Sequence, residues 1–321
     1  MTAKYYFLKT NKKNYKLLIL RKNLIVLQTP ILFLIFNRPD TTKAVFESIK
    51  SIKPLKLYIA ADGARGNKLG EDLLVEETRA IIQSIDWDCE VKTLFRKENL
   101  GCKVAVSSAI DWFFENEEQG IILEDDCLPD ASFYGFCENL LNHYKKDERV
   151  FHISGNNFQD GIIRGDGSYY FSKYNHIWGW ATWRRVWQTY DVNMKDLSKA
   201  LDLKVFENTL SKSELRFWLN CFEEIKVGKK NTWDYQTMLN QWLHNGLTIV
   251  PNQNLVTNIG FGGGTNTSVE VKGLSNIETK TMDKIVHPSF IYSNKIADDY
   301  TYQTKYNPQL TNIIKQKFFG R

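Results

Sequence analysis

The chain has no C-x-x-C pair, no long apolar run and no glycine fingerprint behind its first strand-like segment. Its five cysteines, Cys89, Cys102, Cys127, Cys137 and Cys221, are odd in number, which argues against a disulfide framework or zinc site and for reduced thiols in a cytosolic protein. No run approaches the roughly 18 apolar residues of a spanning helix; the longest, residues 31 to 36, has the length of a strand. Basic residues interrupt the start and no apolar h-region follows, against a secretory signal. Acidic side chains are missing from the first 22 residues, where Lys4, Lys9, Lys12, Lys13, Lys16, Arg21 and Lys22 alternate with aromatic and aliphatic residues. Such a segment fits either peripheral contact with an anionic membrane, at its inner face, or a solvated or partner-bound tail. The positive charge behind the formal net +5 is concentrated there without a recognition motif, so nucleic acid is not an expected partner. Disorder is not expected either, because 43% hydrophobic residues in a chain of 321 offer enough apolar surface to offset chain entropy.

What the chain does have is a strand-length apolar run, Gly120 to Leu123, that ends abruptly in Glu124-Asp125-Asp126 before Pro129. Three adjacent carboxylates repel one another, and a sequence tolerates them most readily around a cation. Oxygen-only donors suit hard divalent ions such as Mg2+ or Mn2+. A solvated acidic turn is the plain alternative. The position at the end of a buried strand favours a site, since ligands of open α/β sheets gather beyond the carboxyl ends of the strands.

Strand and helix patterns alternate from residue 30 onward. Ile31 to Phe36, Leu55 to Ala61, Glu90 to Phe95, the run ending at Glu124 and Val150 to Ile153 read as strands. Between them, Asp40 is placed to cap a helix with Val45, Ile49 and Ile52 on one face. Glu71 to Ile85 reads as a helix with Leu74, Ile81 and Ile85 inward, and Val106, Ile110, Phe113 and Phe114 form a further stripe. This alternation predicts an α/β fold with a doubly wound, mainly parallel sheet over the first half. Asn37-Arg38, Asp62-Gly63, Arg96 to Gly101 and Glu124 to Asp126 all follow strands and should converge on one sheet edge. A dinucleotide-binding Rossmann domain needs G-x-G-x-x-G where this chain has Asn37-Arg38-Pro39-Asp40, which rules it out.

Beyond residue 155 the chain turns aromatic and glycine-rich. Trp178, Trp180, Trp183 and Trp187 stand beside Arg184 and Arg185, either as a core cluster or as a sugar-facing wall with an arginine near phosphate. Trp233-Asp234-Tyr235 and the glycine run Gly262 to Thr267 follow. No helix pattern comes after that run, so it reads as a flap rather than a P-loop.

In this order, Asn37-Arg38, Asp62-Gly63, Glu124-Asp125-Asp126, Trp178-Gly179-Trp180, Trp233-Asp234 and the late glycine flap resemble the GT-A glycosyltransferases. More narrowly, the chain resembles the nucleotide-diphospho-sugar transferases related to N-acetylglucosaminyltransferase I, including bacterial hemolysin-like and family 2 proteins. The resemblance implies a basic segment at 1–29, a GT-A domain at 30–268 and a tail at 269–321. The domain would comprise a nucleotide-binding half, 30–128, and an aromatic-rich acceptor half, 129–268. It implies that Arg38 and Asp62 contact the nucleotide and that Glu124-Asp125-Asp126 is the D-x-D-like motif. Asp125 would reach the ribose and Asp126 would bind Mn2+ or Mg2+ bridging the diphosphate. Asp234 would be the catalytic base, and the flap, with Gly263 and Thr265, would close over the diphosphate. The flap departs from the family pattern, which carries an acidic residue and a histidine where this chain has Gly263 and Asn266. The implied activity is metal-dependent, inverting transfer of a hexosyl or N-acetylhexosaminyl group from a UDP-type sugar donor to a glycan or lipid-linked hydroxyl. The rivals are a sugar nucleotidyltransferase or phosphohydrolase, and a glycan-binding module without chemistry.

Overall fold

A computed structural model of the chain describes residues 27–261 and 276–306. The first apolar run becomes β1 (Ile31–Ile35), buried at every position, as befits a strand covered by helices on both faces. Side chains alternate across it. Ile31, Phe33 and Ile35 join one hydrophobic core, and Leu32 and Leu34 join another on the opposite face. The chain continues through α1 (Pro39–Ile52), β2 (Lys56–Ala61), α2 (Glu71–Ala80), β3 (Glu90–Phe95), α3 (Cys102–Asn116) and β4 (Gln119–Glu124). Then come β5 (Cys127–Pro129), α4 (Ala131–His143), β6 (Val150–Ser154), β7 (Tyr169–Ser172), β8 (Trp180–Trp183) and α5 (Arg184–Trp187). α6 (Leu197–Asp202), α7 (Lys212–Lys226), α8 (Asp234–Leu243), β9 (Leu247–Pro251), β10 (Val256–Asn258) and α9 (Lys295–Thr301) complete the described chain.

The central sheet has the order β3-β2-β1-β4-β8-β6-β9-β7. β3, β2, β1 and β4 are mutually parallel. β8 is wedged antiparallel between β4 and β6, and β7 is antiparallel to β9 at the far edge. The fold is therefore α/β with a mainly parallel sheet, as the alternation of patterns predicts. From β1 the chain steps outward to β2 and β3, then crosses to the other side of β1 for β4. Such a reversal of strand order opens a crevice beyond the ends of β1 and β4.

Four details differ from the sequence reading. The sheet does not stop with the first half, because β7, β8 and β9 extend it beyond residue 155. Asp40 does not cap α1; Arg38 holds the N-cap position and Pro39 follows, where a missing amide is harmless. α2 ends at Ala80 and gives way to a 3-10 turn at Ile81–Ser84. Its inward face carries Val75 and Thr78, while Leu74 is 42% exposed.

Residues 276–306 cover the outer edge of the sheet. Ser293 bridges Phe171 of β7, and the amide of Asn294 donates to the Phe171 carbonyl at 2.8 Å. The buried Asp298 accepts from the hydroxyls of Ser172 and Ser293. An otherwise open strand edge is thereby closed. Among the described residues no helix is long and apolar enough to cross a membrane. The basic stretch up to residue 26 and the flap residues Gly263 and Thr265 lie outside the described residues.

Packing between β4 and α3 is tight enough to test. A Cβ at Gly120 would lie 2.2 Å from the ring of Phe113, which is fully buried, and 3.0 Å from the Pro30 carbonyl. Gly120→Ala is expected to cost about 1–3 kcal/mol through overpacking, measured by urea unfolding. A change below 0.5 kcal/mol would show that the Phe113 layer yields.

Candidate functional site

Four parallel strand ends deliver the polar residues to one cavity of about 620 Å³. Arg38 comes from β1, Asp62 from β2, Arg96 from β3, and Glu124, Asp125 and Asp126 from β4. Asp234, at the start of α8, faces the same space from the second half.

The Arg38 guanidinium is clamped on the acidic run. It donates through Nη2 to Asp125 Oδ1, through Nε to Asp125 Oδ2 at 3.4 Å, and through Nη1 to Asp126 Oδ2 at 3.0 Å. Burial alone would lower its pKa, but the charges and hydrogen bonds of Asp125 and Asp126 outweigh this and raise it. Burial pushes Asp125 up to about 6, with Arg38 opposing and Asp126 reinforcing. Glu124 is raised well above the ordinary glutamate range, first by burial and then by the negative charges of Asp126 and Asp125. One arginine thus faces three carboxylates. The chain passes directly over this pair at Gly260, where a Cβ would stand 2.3 Å from Asp126 Oδ2 and 2.6 Å from Arg38 Nη1. Only glycine permits that approach.

Asp62 is placed differently. Its carboxylate accepts from the backbone amides of Gly63, Leu100 and Gly101 at 3.0–3.1 Å. It pins the β3–α3 loop to the end of β2 and presents the cavity with a buried, fully hydrogen-bonded carboxylate. Arg96 lines the wall beside it, donating to Ser108 Oγ at 2.8 Å. Burial lowers its pKa, and the charge of Asp62 partly opposes this.

Asp234 is the first residue of α8, and Trp233 is its N-cap without a side-chain capping bond. The Asp234 carboxylate instead accepts from the Thr232 hydroxyl. Burial raises its pKa, against the lowering effect of that hydrogen bond. Trp233 turns into the core, stacked on Trp180 at 5.7 Å between ring centroids.

The tryptophan cluster divides. Trp180, Trp183 and Trp187 are core residues, and Trp178 lines the cavity, meeting Phe261 edge-on at 5.7 Å. Neither neighbouring arginine reaches the site. Arg184 pairs with Glu118, and Arg185 donates to the carbonyls of Asp147 and Val150, over the ring of Trp183. Sequence patterns missed Arg65, Lys229, Lys230, Asn231 and Thr232, which also line the cavity. The Gly-Lys-Lys-Asn-Thr turn reads as an ordinary helix connection, and nothing in its spacing relates it to residue 101.

Among the described residues, no three His, Cys, Asp or Glu side chains converge as a ready-made metal site. The donor chemistry at the end of β4 nevertheless suits a hard cation. The donors are oxygens, and the three carboxylates outnumber the single guanidinium of Arg38. Such a site fits an ion held by one or two carboxylates together with substrate phosphates rather than by a protein cage.

No protein-family model matches the chain, and no curated protein matches it. Solved structures that resemble it include HddC from Yersinia pseudotuberculosis, at 10% identity and a TM-score of 0.34, covering 54% of this chain and 86% of that one. UDP-glucose pyrophosphorylase complexed with UDP-glucose aligns at 10% identity and a TM-score of 0.35, covering 70% and 90%. Mouse xyloside xylosyltransferase 1 aligns at 10% and 0.32, covering 69% and 84%. Likeness this distant carries no argument about activity, which rests on the residues of the cavity.

Arg38→Ala leaves Asp125 and Asp126 without their counter-ion, and losing one partner of a buried pair costs about 3–5 kcal/mol. That loss is expected at neutral pH. Asp125, at about 6 in the folded chain against about 3.9 when unfolded, binds its proton more tightly when folded. Ionising it therefore costs stability as pH rises between those values. Without Arg38 the cost is larger, so the gap between variant and parent should shrink as pH falls through 6. A gap constant from pH 8 to pH 4, by denaturant titration, would contradict the clamp.

Proposed function

We propose that the chain is a metal-dependent, inverting glycosyltransferase that moves a sugar from a nucleoside-diphosphate donor, UDP-linked, to a hydroxyl of a glycan or lipid-linked acceptor. One observation carries this reading: an arginine-clamped acidic cluster and a separate, half-buried carboxylate, Asp234, face one cavity of about 620 Å³. That volume lies within the range of pockets that enclose compact organic ligands.

A departing diphosphate needs its growing charge neutralised. Arg38 lies at the strand end where that charge would arrive. A divalent ion held there by Asp126 would supply Lewis-acid stabilisation of the diphosphate oxygens. Asp125 holds Arg38 in place and is the group proposed to reach the ribose. Asp62 shapes the nucleotide wall through the loop it pins, so its contribution is to order that wall.

Direct displacement with inversion needs one base on the face opposite the leaving group. Asp234 is suited to this because burial raises its affinity for a proton. A non-catalytic glycan binder is less well supported, since three of the four clustered tryptophans belong to the core.

With donor and Mn2+ but no acceptor, slow release of nucleoside diphosphate is expected. Pyrophosphate or nucleoside monophosphate would instead favour a nucleotidyltransferase or phosphohydrolase. Asp234→Asn is expected to lower transfer by about 10²- to 10⁴-fold with nucleotide affinity kept. Asp126→Ala should lose both transfer and the rise in melting temperature that a nucleoside diphosphate gives with Mn2+. Below its folded pKa Asp234 is protonated and cannot accept a proton, so the rate should climb with pH through a value above the ordinary aspartate range. A flat acid limb in the parent enzyme would remove Asp234 from the role of base.

A further inference from the structure

We propose that Asn231 is a positioning residue: it caps α3 from across the cavity rim and thereby sets Asp234 against the nucleotide side. The catalytic consequence rests on the glycosyltransferase reading; the mechanical link does not.

Helix N-termini leave backbone amides without partners, and a local Ser, Thr, Asp or Asn side chain usually accepts from one of them. At α3 the N-cap is Gly101, which has no side chain to offer. The amide of Lys103 instead donates to Asn231 Oδ1 at 2.9 Å, 128 residues further along the chain. Gly101 is what admits the visitor. Its φ is +76°, and a Cβ there would lie 2.6 Å from Asn231 Nδ2.

Gly101 also belongs to the nucleotide wall, because its own amide donates to Asp62 Oδ2 at 3.0 Å. On the other side, Asn231 adjoins Thr232, whose hydroxyl donates to the Asp234 carboxylate and whose carbonyl accepts from Gln236 Nε2 at 3.0 Å. The Trp233 carbonyl accepts from Tyr190 Oη at 2.9 Å. Three hydrogen bonds, from Gly101 to Asp62, from Lys103 to Asn231 and from Thr232 to Asp234, joined by the short stretches of chain between them, therefore link Asp62 to Asp234. Before Asn231 the same turn is tied to its own helix through the amides of Lys229 and Lys230 on the Glu224 carbonyl, and the Lys230 ammonium lies over the ring of Tyr235 in α8, 5.3 Å from its centroid. Asn231 itself is exposed on the rim, so the core does not depend on it and the variants should fold.

The test compares the parent enzyme with Asn231→Ala and with Asn231→Asp, which keeps a capping oxygen. With a nucleotide-sugar donor, Asn231→Ala is expected to lower kcat about 10- to 100-fold, as a small displacement of a catalytic group does. Donor KM and nucleoside-diphosphate affinity should stay within about twofold, and Asn231→Asp should recover most of the lost kcat. A residue that merely stabilised the fold would not divide kcat from KM or be rescued in this way. Amide hydrogen exchange tests the link without any substrate. Asn231→Ala should speed exchange at Lys103 and also across residues 235–238, at the start of α8. Faster exchange at Lys103 alone, with α8 and kcat unchanged, would reduce Asn231 to a helix cap and overturn the proposal. Joint exchange effects in an enzyme that releases no nucleoside diphosphate would support the link and overturn the functional reading instead.

Discussion

The carboxyl end of β4 places three carboxylates in a row where water is scarce, and the structure around it is arranged to make that tolerable. Burial raises the pKa of Glu124 and Asp125, and neighbouring negative charge adds to the rise. Arg38 answers part of the charge with a two-carboxylate clamp. It does so because β1 and β4 are neighbours in the sheet, with Leu34 in register with Glu124. The remaining negative charge is what would hold the divalent ion of the proposed mechanism.

Dependence on that clamp extends outward through glycine positions. Gly260 lets backbone lie directly on the Arg38–Asp126 pair, and Gly101 lets Asn231 reach the start of α3. In both places the side chain that is missing allows two segments distant in sequence to touch. The cavity is thus enclosed by close backbone approaches, while the hydrophobic layers on either face of the sheet hold the strand ends in line.

Aromatic residues serve a different purpose from the one their density suggests. Trp180, Trp187 and Trp233 lie within 6.5 Å of one another between centroids, with His152 stacked on Trp180 at 4.7 Å. This is a packed layer behind the site. It fixes the backbone of Trp233 and so the starting point of α8, which is how a core cluster contributes to the direction in which Asp234 faces.

Much of the alternating half was legible from hydrophobic spacing alone. The strands at residues 31, 55, 90 and 120 and the stripe Ile110, Phe113 and Phe114 follow from side-chain periodicity, a local property. So does the convergence of Arg38, Asp62 and Glu124 to Asp126, since parallel strands bring their ends to one edge. Local pattern could not reveal that β8 wedges between β4 and β6, because a short strand among tryptophans and glycines carries no clear period. Nor could it show that the Asp62 carboxylate is occupied by backbone amides, that Arg184 and Arg185 point elsewhere, or that residue 231 caps a helix beginning at residue 102. The sequence by itself determined where β1 to β4 and β6 lie and which helix stripe packs on them; the tertiary structure decided how the remaining strands join the sheet and which polar groups meet. Burial follows from the chemistry of one segment, whereas a hydrogen bond or ion pair across the chain depends on the relative placement of two.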